Sequence, residues 1–92
     1  MQPPVVPELQ LEFPCEYQFK VFGPADPARD FVTAVERAAA TVMPIPLDAM
    51  RVRPSKKGTY LCVTLLARLE SKTQLDGMYL ALGRLPGLLY LL

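Results

Sequence analysis

The chain has 92 residues, enough for one domain, and 51% of them are apolar, which marks a globular chain and excludes a disordered one. Ten basic and nine acidic side chains leave a net charge of +1, so no global field recruits nucleic acid or an anionic membrane. No apolar run reaches the ~18 residues of a membrane span, and no positive region followed by an apolar one opens the chain, so the cytoplasm is the expected compartment.

Residues 1–14 carry four prolines. Pro3, Pro4 and Pro7 oppose a regular helix and favour an extended arm ahead of a single domain of residues 15–92; the first reading of that arm is a frayed tail, and the other is that Leu11 and Phe13 dock on the domain. Residues 15–22 alternate. Tyr17, Phe19 and Val21 form one face and Gln18, Lys20 and Phe22 the other, as in a half-buried strand, and Gly23-Pro24 ends it. Asp26-Pro27 is expected to open a helix, with Asp as N-cap and Pro in the first helical position. Asp30 then adds negative charge to the first turn. Phe31, Val35, Ala38 and Val42 recur at helical spacing with Val32 and Ala39 beside them, and Arg29, Glu36 and Arg37 lie off the stripe. The pattern predicts an amphipathic helix of about four turns, stopped by Met43-Pro44-Ile45-Pro46.

A short strand follows over residues 50–53, with Val52 expected inward and Arg51 and Arg53 outward. Ser55, Lys56, Lys57 and Gly58 form a hairpin turn, Gly58 taking the left-handed position. The longest strand-like run comes next. Leu61, Val63, Leu65, Ala67 and Leu69 share one face; Tyr60, Cys62, Thr64, Leu66 and Arg68 share the other. Ser71-Lys72-Thr73-Gln74 reads as a capping box, and Leu75, Met78, Tyr79 and Leu82 continue it as a helix ending near Gly83-Arg84. After a turn at Pro86-Gly87, residues 88–92 form a last apolar strand.

The order β-α-β-β-α-β is the split-βαβ pattern of an α+β, ferredoxin-like sandwich. Right-handed crossovers place both helices on one face of a four-stranded antiparallel sheet in the order 4-1-3-2. The strands at residues 15–22 and 60–69 are then central, with Cys15 and Cys62 too far apart for a disulfide.

The chain contains no histidine, so neither a Ser-His nor a Cys-His pair exists. The carboxylates are scattered, there is no Walker motif or G-x-G-x-x-G, and two cysteines without histidine do not make an ordinary zinc site. The expectation is a protein that is not an enzyme and uses no cofactor or metal. Residues 57–64 invite comparison with the RNP1 motif of RNA-recognition domains. That motif needs aromatics where this chain has Thr59, Leu61 and Thr64, and Tyr60 is out of phase.

What remains is the sheet face opposite the helices. By parity it carries Gln18, Lys20, Phe22, Arg51, Arg53, Tyr60, Cys62, Thr64, Leu66 and Arg68. One reading is a solvated face with long side chains lying over apolar neighbours. The other is a contact surface with Phe22, Tyr60 and Leu66 at its centre and Lys20, Arg51, Arg53 and Arg68 around them, a composition that interfaces favour.

Phe13-Pro14-Cys15, Lys20-Val21-Phe22-Gly23, the run from Arg53 through Ser55 and Gly58 to Tyr60, and the run from Gln74 to Tyr79 together resemble the YbeD-like family of small bacterial proteins. The resemblance spans roughly residues 11–92, and its most specific part is the Ser-x-x-Gly-x-Tyr hairpin. It implies a ferredoxin-like domain similar to the amino-acid-binding regulatory domains of metabolic enzymes, with a link to lipoate metabolism, and it supplies no established catalytic residues to carry over. The leading expectation is a regulatory or adaptor domain that binds a protein partner or small metabolite through its sheet face, without any role for a membrane. The alternative is a nucleic-acid-binding module of the same fold. Small size and an apolar edge strand at residues 88–92 lead us to expect a homodimer.

Overall fold

A computed structural model describes residues 11–92. The expected N-terminal arm lies outside the described residues as far as residue 10. Four strands, β1 (Cys15–Pro24), β2 (Met50–Pro54), β3 (Tyr60–Leu69) and β4 (Tyr90–Leu91), and two helices, α1 (Phe31–Ala40) and α2 (Lys72–Gly83), follow in the order β1-α1-β2-β3-α2-β4. The sheet runs β2-β3-β1-β4, every neighbouring pair antiparallel. This is the expected α+β, ferredoxin-like arrangement.

The ten-residue pairing of β1 with β3 is the backbone of the fold. One face of it is wholly apolar: Phe19 and Val21 on β1, Val63, Leu65, Ala67 and Leu69 on β3, all buried. Phe31, Val35 and Ala39 of α1 and Leu75, Met78 and Leu82 of α2 close over that face, and Leu85 seals one end. Each such side chain contributes on the order of 1.5–3 kcal/mol by leaving water. Leu11 and Phe13 pack against the same core, so this part of the arm is docked and not frayed. The Tyr17 and Tyr79 hydroxyls meet at 2.7 Å, which joins β1 to α2 by a hydrogen bond and satisfies both polar tips at the core margin.

Four local expectations need correction. Asp26 does not cap α1. Its carboxylate accepts from the Ala28 N–H at 3.0 Å, and its carbonyl accepts from the Arg29 N–H at 3.0 Å, so Asp26 to Arg29 form a separate turn. The N-cap is Asp30, in the left-handed region at φ 43°, accepting from the Thr33 N–H, and the helix is ten residues long. The late start lets Phe31 lie across Gly23, where a Cβ would overlap the ring at 2.2 Å.

Val52 lies opposite Val63 on the helix side of the sheet yet is 44% exposed. The helices pack over β1 and β3, and the edge strand β2 extends beyond them. The last strand is shorter than residues 88–92. Leu88 closes the turn by donating to the Leu85 carbonyl, leaving Tyr90–Leu91 as strand, with Leu89 and Leu92 bonded through their backbones to Phe22 and Lys20. The Ser71 hydroxyl accepts from the Gln74 N–H as the capping box requires, but the Gln74 side chain reaches one residue further back than expected, to the Glu70 N–H at 2.7 Å.

Candidate functional site: the open face of the sheet

Ser55 builds one end of the site. Its Oγ accepts from the N–H groups of Thr59 and Tyr60 at 3.1 and 3.2 Å, and its own N–H donates to the Tyr60 carbonyl at 2.9 Å. Gly58, at φ +71°, takes the left-handed turn that a side chain would resist. Lys56 and Lys57 stand exposed at the tip. The hairpin therefore fixes the first residue of β3, and with it the position of the Tyr60 ring.

Strand register then lays the open face out in rows. Arg53, Cys62, Phe22 and Tyr90 stand in one line across all four strands. Arg51, Thr64 and Lys20 form the next line, about 7 Å away. The Phe22 ring lies 6.3 Å from Tyr60 and 6.1 Å from Tyr90, both tilted, in the range where aromatic pairs attract. Phe22, Tyr60, Leu89 and Tyr90 line an apolar hollow of about 220 Å³. Beside it lies a broad depression of about 740 Å³, which shares Phe22 and Tyr60 and takes in Gln18, Lys20, Arg51, Arg53, Cys62 and Thr64. No carboxylate lines either concavity among the described residues.

The structure thus brings Lys20, Phe22, Arg51, Arg53 and Tyr60 together with Ser55. It separates Leu66 and Arg68 from them. Both are on the same face but do not line the depression: Leu66 is one position on this face beyond Thr64, opposite Gln18, and Arg68 is near the end of β3, opposite Glu16. Arg68 also lies 3.6 Å from Glu70, an exposed pair of little energetic weight. The other ion pair among the described residues, Lys72 with Asp76 at 2.8 Å, is on α2. Among the described residues no carboxylate pairs with Lys20, Arg51 or Arg53.

Tyr90 and Leu89 were not among the expected site residues. Alternation alone placed no register on a two-residue strand; the pairing of Phe22 with Tyr90 supplies it. Cys62 belongs to this face, whereas Cys15 is opposite Leu69 at the far end of the ladder, and both are free thiols. Among the described residues no three Cys, Asp or Glu side chains gather as a metal cluster would require.

The arrangement can do two things chemically. Its three cations, paired with no carboxylate among the described residues, attract an anionic group, and its three rings offer an apolar seat beside them. Residues 8–92 match the family model described as a protein of unknown function, DUF493. The chain belongs to this DUF493, YbeD-like family. A UPF0250 protein of Paraburkholderia phytofirmans is 40% identical over 85 residues, covering 88% of this chain and 90% of the relative. One from Shewanella piezotolerans is 39% identical over 79 residues, 84% of each chain. A third, from Neisseria gonorrhoeae, is 36% identical over 73 residues, 78% of each chain. No solved structure matches. The family match contains every residue of the open face.

Proposed function

We propose that this YbeD-like protein is a cytoplasmic, non-enzymatic regulatory or adaptor domain that works as a dimer and binds a protein partner or small metabolite through the open face of its sheet. The observation that supports this is the composition of the depression and the adjoining hollow: three cations and two aromatic rings line the first, Tyr90 adds a third ring in the second, and among the described residues no carboxylate lines either and no helix covers them. Within the described residues, no helix is long and apolar enough to cross a membrane. Aromatic anchors beside arginine are the residues on which binding energy concentrates.

The test compares wild type with Tyr60→Ala and Arg53→Ala, each checked for an unchanged melting curve. Lysate of the host bacterium supplies protein partners. Equilibrium dialysis against a metabolite extract, with lipoate added as a defined probe, supplies small ligands. A partner or ligand retained by wild type and lost by both variants is expected. Equal retention by the variants, or a turnover abolished by mutating one carboxylate, overturns the reading. Titration with single-stranded RNA at low and moderate salt tests the nucleic-acid alternative. Tight binding with a steep salt slope would replace the present reading, because phosphate contacts release counterions.

A further inference from the structure

Strand β2 ends the sheet, and its outer side carries no strand among the described residues. Ladder geometry gives the direction of its polar groups. The Ser55 N–H bonds to the Tyr60 carbonyl, so Ser55–Tyr60 is a hydrogen-bonded pair. By alternation the Arg53–Cys62 and Arg51–Thr64 pairs are also hydrogen-bonded, and the main-chain groups of Arg51 and Arg53 point inward to β3. Those of Met50 and Val52 point outward. Pro54, which has no N–H, offers only its carbonyl there. The side chains obey the same alternation. Arg51 and Arg53 rise on the open face, about 7 Å apart, and the half-exposed Val52 stands on the other.

A strand laid along this edge would place its residues directly opposite those of β2, on the same faces, with Cβ atoms about 5 Å apart. A second copy of β2 is a poor occupant. Antiparallel pairing about Val52 sets Arg51 against Arg53 of the other copy, twice over, and like charges directly opposite are destabilising. The complement is a strand that alternates acidic, apolar, acidic. We propose that the outer edge of β2 binds an extended acidic segment of a partner protein by strand addition, carboxylates opposite Arg51 and Arg53 and an apolar residue opposite Val52. Lys56 and Lys57, exposed in the adjoining hairpin, extend the positive charge past Pro54. Main-chain bonds to Val52 and Met50 supply affinity and the arginines supply register, as in other strand-addition complexes. The inference rests on the open face being a contact surface, and it assigns the partner's chemistry.

The probe is a blocked peptide, Ser-Glu-Val-Glu-Val-Glu-Ser, against a control of the same composition with its glutamates contiguous and a second control with lysine for glutamate. Binding is read by amide shifts in ¹⁵N spectra of the full chain and by hydrogen exchange at Val52. The alternating acidic peptide should bind best, shift the amides of residues 50–54 and slow exchange at Val52. Arg51→Glu with Arg53→Glu should lose that peptide and gain the lysine one. Val52→Pro removes the outward N–H and leaves every charge in place, so affinity should fall about tenfold. Equal binding of the contiguous control, unchanged binding by Val52→Pro, or shifts confined to other elements overturns the inference. Those results leave the reading of the open face standing, since it fails on a different observation, retention of partners by Tyr60→Ala.

Discussion

Val63 and Tyr60 are three residues apart on β3 and do opposite jobs. Val63 is 0% exposed and faces the helices; Tyr60 is 41% exposed and faces solvent beside Phe22. Val63→Asp puts a carboxylate into a surface made of Phe19, Val35 and Met78 and their neighbours, where no partner exists. Desolvating that charge consumes most of the ~5–15 kcal/mol that keeps a domain folded, so the variant should be unfolded or insoluble. Tyr60→Ala removes one tilted ring contact and partly exposed area, a cost of about 1 kcal/mol. It should stay folded and lose its partner. Thermal unfolding of both variants, with binding measured for the second, checks the pair. A Tyr60→Ala that collapses while Val63→Asp melts like wild type would invert the assignment of the two faces.

At the scale of elements, the start of α1 separates two aspartates that look alike in sequence. Asp30 accepts from the Thr33 N–H and makes its turn at positive φ, whereas Asp26 holds only the preceding turn. Asp30→Ala should lower stability by about 1 kcal/mol, more than Asp26→Ala, and Asp30→Asn should recover most of the loss, since Asn both caps and tolerates the left-handed region. Denaturant unfolding of the three variants reads the order; a larger effect at Asp26 would return the cap to that residue.

The same aspartates show why some elements were legible in the sequence and others were not. Asp26-Pro27 carries the right chemistry for a helix start, but Asp26 closes a separate turn and the helix starts at Phe31, whose ring lies over Gly23, a tertiary contact that local sequence does not show. Alternation along β1 and β3 placed every core residue of the sheet, because both strands are long and flanked on both sides. Val52 obeys the same alternation but lies beyond the helices, a fact of lateral position that no periodicity encodes. The cationic part of the site was legible by parity, whereas the distance of Arg68 from Arg51 and Arg53 is set by strand register. The aromatic part was legible only in Phe22 and Tyr60; Tyr90 joins them through the pairing of a two-residue strand.

For the whole molecule, the two edges of the sheet differ in kind. The β2 edge presents Arg51 and Arg53, which oppose a second copy of themselves. The β4 edge presents no charged side chain over residues 88–92, and Leu89, Tyr90 and Leu92 are all exposed there. A domain of this size gains from covering such residues, so self-association should proceed through β4. Its two paired residues offer few main-chain bonds, and the apolar area involved is at the low end for interfaces, under ~1,200 Å² in total. The expected dimer is accordingly weak and concentration-dependent. Leu89→Glu puts a carboxylate into this apolar edge and should return the protein to monomer, while Arg51→Glu, at the opposite edge, should leave the dimer intact. Sedimentation velocity over a wide concentration range measures both. A wild type that stays monomeric at the highest concentration rules the dimer out, and dissociation caused by Arg51→Glu and not by Leu89→Glu would move the interface to β2.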